Sequence, residues 1–214
     1  HDNNVNSNDK ALVYDSFVTM VLKEVQEKTG LDPYNDGLTI ETTIDSKAQQ
    51  RLYDIVNTND YIQYVNEKIQ NAVVMLDTKT GAVRAVNGGR KQTTLLGYNR
   101  ATDNTRSTGS TIKPVIDYGP AIEYLNYSTG QTIMDQRTTY SNGVELNNWD
   151  FSHKGAMTLR TALVYSRNTT ALQTFKAVGE TNIKSFLNNL DIQIKNDGQD
   201  YLVESNSIGA DISP

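Results

Sequence analysis

The chain has 214 residues, 37% hydrophobic and 21% charged, with a formal net charge of -5, a balance that fits one folded domain, or one with a small appendage. It has no cysteine and two histidines, which excludes disulfides, thiolate catalysis and cysteine-type zinc sites, and leaves His153 as the imidazole for any Ser-His-Asp triad. The acidic balance, without a basic stripe interleaved with aromatics, argues against nucleic acid as a partner.

The opening HDNNVNSNDK is too polar for a signal peptide, and no apolar run approaches the ~20 residues of a membrane span. From Ala11 to Lys28 the apolar residues Val13, Phe17, Val18, Val21, Leu22 and Val25 recur at helical spacing, closed by Gly30 and Pro33. Leu38 to Thr43 alternates like a short strand, and Asp45 is placed to cap a helix running to about Val56. Asn71 to Leu76 and Ala82 to Val86 are β-rich runs around Asp77-Thr78-Lys79-Thr80-Gly81, which predicts an antiparallel hairpin. Gly88 to Gly109 reads as a loop leading into Ser110-Thr111-Ile112-Lys113-Pro114. Beyond it Val115, Ile116, Tyr118, Ile122 and Leu125 follow helical intervals, and Pro114 places the helix start close to Ser110. Gln131 to Asn148 has weak strand character. Helical patterns return over Thr158 to Val164, Thr169 to Val178 and Thr181 to Leu190, with turns at Ser166-Arg167-Asn168 and Gly179. No internal repeat is present.

A serine hydroxyl needs a base to become a nucleophile at neutral pH. Ser110 and Lys113, three apart at a helix start, are expected on one face and within reach of each other. A lysine serves as that base if desolvation and neighbouring charges lower its pKa from about 10.4. The helix N-terminus also points N–H groups toward an oxyanion forming beside Ser110. Spacing alone is weak support: Ser7-Asn8-Asp9-Lys10 repeats the pattern in the polar leader, and a capping serine followed by a solvated lysine is the plain alternative. Ser166-Arg167-Asn168 is the second element, because Ser-x-x-Lys, then Ser-x-Asn, then Lys-Thr-Gly is the signature of penicillin-recognising serine enzymes.

With its flanks Arg106 to Pro114, the hairpin turn from Asp77 to Val83, Gly88-Gly89, and Thr158-Leu159-Arg160 leading to Ser166-Arg167-Asn168, the sequence resembles the transpeptidase domain of class A, bifunctional penicillin-binding proteins. The run Thr39 to Asp45 is similar to that domain's start. The resemblance implies an α+β, serine β-lactamase-like fold, an antiparallel sheet flanked by helices and incomplete in this chain. Residues 1–37 would form a polar leader and interdomain linker helix, and 38–214 the N-terminal part of the domain. It implies that Ser110 attacks the penultimate D-alanine carbonyl of a peptidoglycan stem peptide, or a β-lactam amide, with Lys113 activating it. Ser166 would relay a proton to the leaving amine, and Asn168 would hold the substrate amide and orient Lys113. Gly109, Thr111 and Trp149 are the candidate substrate-binding residues, although core packing is the simpler expectation for Trp149 and Tyr165. No cofactor or metal is expected.

The third motif should follow Ser-x-Asn by well over a hundred residues. Lys28-Thr29-Gly30 and Lys79-Thr80-Gly81 both spell it, yet both precede Ser110 and are expected to serve a helix end and a hairpin turn. The resemblance therefore implies a C-terminal remainder carrying Lys-Thr-Gly, an upstream glycosyltransferase domain, and an N-terminal anchor outside this chain that places the protein on the outer face of the cytoplasmic membrane. Two alternatives stay open: a non-catalytic cell-wall-peptide binding or β-lactam-sensing module, and a serine β-lactamase. The second would need a carboxylate to activate water, but Glu204 is expected to be solvated surface. His153 is expected to be a hydrogen-bonded loop residue.

Overall fold

The structure is a computed structural model and describes residues 7–212; His1, the rest of the first six leader residues, and Pro214 lie outside them. The chain divides into two compact units, residues 7–104 and Thr105–Ile212.

In the first unit, α1 (Ser7–Thr29) contains the amphipathic run expected from the sequence and starts somewhat earlier. It ends at Gly30, whose φ of +70° is open to glycine and strained for other residues. Helix α2 (Ser46–Asn57) starts where Asp45 accepts hydrogen bonds from Lys47 N and Ala48 N at 2.9 and 3.0 Å. Strands β1 (Val73–Leu76) and β2 (Val83–Asn87) form the expected antiparallel hairpin, with Val74 opposite Val86. Leu38 to Thr43 is not a strand. It is followed along β2 by side-chain ties, Thr43 Oγ1 to Val83 O and Arg84 Nη1 to Thr43 O, and by one main-chain bond from Asp45 N to Arg84 O. Alternation was present there, but without a ladder partner it does not make a strand.

Phe17, Val86 and Ala101 are the buried centre of this unit, with Met20, Val21, Ile44, Val74 and Val83 around them. Buried Gln49 bridges the layers, donating to Val13 O and Val86 O while its Oε1 accepts from Val86 N. Gly88 is required by close approach, since a Cβ there would stand 2.2 Å from Asn99 Oδ1.

The second unit begins with β3 (Arg106–Ser107), which leads into a 3-10 turn (Gly109–Ile112), a π turn (Pro114–Tyr118) and α3 (Gly119–Leu125). The sequence predicted one regular helix here. Pro120 has no N–H to return to Ile116 O, and the bond from Gly119 N to Pro114 O widens the turn instead. Strands β4 (Thr132–Asp135), β5 (Thr138–Thr139) and β6 (Glu145–Leu146) account for the weak strand signal, and β7 (Gly155–Thr158) pairs with β4. Helices α4 (Leu159–Val164), α5 (Asn168–Val178) and α6 (Glu180–Asn189) match the three predicted helical runs. A 3-10 segment (Glu204–Ile208) and β8 (Asp211–Ile212) follow, and β8 pairs with β3.

The expected antiparallel pairing with flanking helices is therefore present. Among the described residues it takes the form of four two-stranded ladders, β1–β2, β3–β8, β4–β7 and β5–β6. In the second unit the main core gathers Ile112, Ile116, Ala121, Phe175, Val178, Ile183 and Leu187, and a second cluster joins Tyr118, Leu159 and Ala162. Burying such side chains contributes about 1.5–3 kcal/mol each. Because Ile112 and Ile116 are core residues, this burial fixes the rotation of the segment carrying Ser110 and Lys113. No described helix is long and apolar enough to cross a membrane.

Candidate active site

Ser110 lies in the 3-10 turn that leaves β3. Thr108 pins this turn from below, its N–H and hydroxyl both donating to Ala210 O at 2.9 and 3.0 Å. Gly209 lets the two segments approach, since a Cβ on it would stand 3.2 Å from Gly109 Cα. Gly109 takes φ +51°, Thr111 donates to Thr108 O at 2.7 Å, and Ser110 and Thr111 are exposed. Exposed hydroxyls on a fixed turn suit a nucleophile better than a core role.

Lys113 points the other way, into the protein, and is fully buried. Its Nζ donates to Ser166 O at 2.8 Å, to Ser166 Oγ at 3.2 Å and to Asn168 Oδ1 at 2.8 Å. The two motifs singled out in the sequence are thus joined through one amine across more than fifty residues. Lys113 N–H donates to Ser110 O, which closes the turn, while among the described residues no side-chain hydrogen bond joins Ser110 Oγ to Lys113 Nζ; catalytic hydrogen bonds often tighten only with substrate bound. Burial pulls the Lys113 ammonium down to about 8, with Asp117 opposing and Arg167 reinforcing the shift.

The Ser-x-Asn segment is held by a buried polar network. Helix α4 ends with Arg167 N bonded to Ala162 O and Ser166 N to Leu163 O, both at 2.9 Å, with Ser166 in the left-handed region at φ +51°. This is a Schellman end in which serine occupies the position usually taken by glycine. Arg167 is buried: its Nε donates to Asp135 Oδ2 at 2.8 Å, its Nη1 to both Asp150 oxygens at 2.9 and 3.0 Å, and its Nη2 to Ser152 O. Asn148 Oδ1 caps α5 from outside, accepting from Asn168 N at 2.7 Å and Thr169 N at 3.3 Å, while its Nδ2 donates to Asp135 Oδ1 at 2.8 Å.

Burial pushes the Asp135 carboxyl up, but hydrogen bonds from Thr169, Lys154 N and Asn148 and the Arg167 charge outweigh it and leave it below the ordinary range. The Arg167 guanidinium, with Ser152, holds the Asp150 carboxyl well below the usual carboxylate range. Both carboxylates are therefore charged and answer the buried arginine.

Sequence reasoning treated Arg167 as a spacer and passed over Asp135, Asn148 and Asp117. A basic residue between two small hydrogen-bonding residues leaves no local pattern, since its partners are 15 to 32 positions away. Asp117 did leave one: it falls four residues after Lys113 in an apolar helical run.

Several expectations need correction. Trp149 is 68% exposed and Tyr165 58%, so neither is core. The Trp149 indole donates to Tyr165 O at 3.1 Å, which stands the ring beside the Ser166 turn. Glu204 is not merely solvated: its oxygens accept from Ser141 N and Oγ at 2.6 and 2.5 Å and pair with Lys176 at 3.1 Å. His153 is an exposed residue of the loop before β7. Lys28-Thr29-Gly30 closes α1, and Lys79-Thr80-Gly81 forms the β1–β2 turn around Asp77, as expected.

A Ser-x-x-Lys on a 3-10 turn, whose lysine meets a Ser-x-Asn loop among antiparallel strands flanked by helices, defines the transpeptidase and β-lactamase-like class of fold. The model of the penicillin binding protein transpeptidase domain matches residues 71–214. The chain is 43% identical over 196 residues to penicillin-binding protein 1A/1B of Bacillus subtilis, covering 92% of this chain and 21% of that protein. It is 35% identical to penicillin-binding protein 1A of Streptococcus pneumoniae, covering 92% of this chain and 28% of that one. Among solved structures, penicillin-binding protein PonA1 from Mycobacterium tuberculosis superposes with a TM-score of 0.71 at 22% identity, over 91% of this chain and 52% of that one, a likeness of fold. The chain belongs to the penicillin-binding protein transpeptidase family, is homologous to the class A 1A and 1B proteins, and spans about a fifth to a third of the length of these relatives.

Proposed function

We propose that the protein is a D,D-transpeptidase acylated at Ser110, which cross-links peptidoglycan stem peptides and is blocked covalently by β-lactams. The observation that carries this reading is the buried Lys113 amine, shared between Ser166 and Asn168 one helical turn from an exposed Ser110. An ammonium donates three hydrogen bonds, and Lys113 has three acceptors. When it loses a proton, the contact with the Ser166 hydroxyl, the longest of the three, is the one released, which leaves a lone pair to accept a proton.

Lys113 can then accept the Ser110 proton as Ser110 Oγ bonds to the penultimate D-alanine carbonyl carbon. The tetrahedral oxyanion collapses, the peptide C–N bond breaks, and the proton returns from Lys113 through Ser166 to the departing D-alanine amine. An acceptor amine from a neighbouring stem peptide resolves the ester and restores the Ser110 hydroxyl. Asn168 Nδ2 donates to Asn147 O at 2.9 Å, which turns its carbonyl oxygen to Lys113. Gly109 and Thr111 flank the nucleophile, and exposed Trp149 offers an apolar wall to the donor peptide. The homology also supports a Lys-Thr-Gly strand and a glycosyltransferase domain elsewhere in the protein, with an anchor holding it on the outer face of the cytoplasmic membrane.

The β-lactamase alternative is not favoured, because the Glu204 carboxylate is committed to Ser141 and Lys176. The test is release of D-alanine from a stem pentapeptide donor by the full-length protein, with a D-amino acid as acceptor. Exchange of the terminal residue, lost by at least about 10³-fold in Ser110→Ala, is expected. Equal exchange by that variant would refute the assignment.

A further inference from the structure

Asp117 is a fully buried carboxyl group beside the site to which the acylation chemistry above assigns nothing. Neither of its oxygens has a hydrogen-bond partner among the described residues. It belongs to the π turn whose neighbours Ile112 and Ile116 are core side chains, and it follows Lys113 by four residues, on the same side of the segment. An aliphatic side chain would fill such a position at less cost, because a buried carboxyl group without a donor is among the least favourable groups a core can hold.

Lys113 is the partner it answers through charge. The other charged groups on the packed elements lie elsewhere: Glu123 of α3 is exposed, Lys176 of α5 pairs with Glu204 of the 3-10 segment, Lys184 with Glu180 and Asp200 on and beside α6, and Arg167 with Asp135 and Asp150. On the same turn the Tyr118 hydroxyl is hydrogen-bonded with Thr170.

Resting on the reading of Lys113 as the base for Ser110, we propose that Asp117 is a positioning residue whose buried, donor-free carboxyl group raises the affinity of Lys113 for the proton that Ser110 gives up. Desolvation alone would make the amine a weak acceptor, and a neighbouring anion restores its basicity without occupying one of its hydrogen-bonding positions. Burial pushes the Asp117 carboxyl well up while the Lys113 charge draws it down, so the pair exchanges protons as a unit.

The sign of the effect is testable. In the full-length protein the second-order rate of acylation by benzylpenicillin should rise with pH through a midpoint near 8, where Lys113 loses its proton. In Asp117→Asn and Asp117→Leu, which remove the charge and keep the volume, the midpoint should move to lower pH by roughly one unit, and the high-pH plateau should fall about tenfold, as a weaker base accepts the proton less readily. Thermal unfolding checks that each variant is folded. On the unsubstituted protein, the 13C resonance of the Asp117 carboxyl should show a step at the acylation midpoint.

A plateau that falls without movement of the midpoint, or a resonance with no step there, overturns the proposal and leaves Asp117 a packing residue. Absence of acylation in the unsubstituted protein would instead overturn the transpeptidase reading on which it rests.

Discussion

Ser166 holds a backbone conformation that suits glycine, and the reason lies in what its side chain and carbonyl touch. Left-handed φ costs a β-carbon-bearing residue about 1–2 kcal/mol, and here it turns both Ser166 O and Ser166 Oγ toward Lys113. Glycine would relieve the strain and keep the carbonyl contact while removing the hydroxyl. Ser166→Gly is therefore expected to raise stability toward urea by up to about 1 kcal/mol and to slow stem-peptide acylation by roughly 10²-fold, the size of a lost proton relay. A variant both less stable and fully active would show that the serine is there for the fold. At this scale the sequence singled out Lys113, Ser166 and Asn168 through two short motifs, and one amine joins them. It was silent about Arg167 and Asp135, which act through contacts between distant segments.

At the scale of elements, the decisive feature is that α5 begins without a cap of its own. Arg167 stands in the cap position and makes no capping bond, and Asn148, twenty residues earlier, supplies the acceptor for both Asn168 N and Thr169 N. Asn148→Ala removes this cap and leaves Asp135 with one donor fewer in a buried site, a loss of about 2–4 kcal/mol. Denaturant unfolding measures it, and a change within about 0.5 kcal/mol would show that water or another side chain replaces the cap. Helices α1, α2, α4, α5 and α6 and the β1–β2 hairpin were legible because each carries its own periodicity and end signals, such as Asp45 and Gly179. The 3-10 and π turns around Ser110 were not, because Pro114 and Pro120 reshape a run whose apolar spacing still reads as one helix. Strands β3, β7 and β8 were hidden for a related reason: two to four residues without a turn signal like that of the β1–β2 hairpin do not display a period, and their pairing is decided by partners.

At the scale of the whole molecule, two compact units carry the sequence features in different ways. Both Lys-Thr-Gly matches of this chain serve local turns in the first unit, whereas the Ser-x-x-Lys and Ser-x-Asn motifs converge within the second. The proposed acyl transfer therefore turns on Ser110 more than on any other residue. The most direct measurement is intact mass spectrometry of the full-length protein after exposure to benzylpenicillin, followed by peptide mapping. The prediction is one added penicillin mass per chain, located on the peptide containing Ser110 and absent in Ser110→Ala. An adduct on a different residue, or labelling that survives in Ser110→Ala, would contradict it.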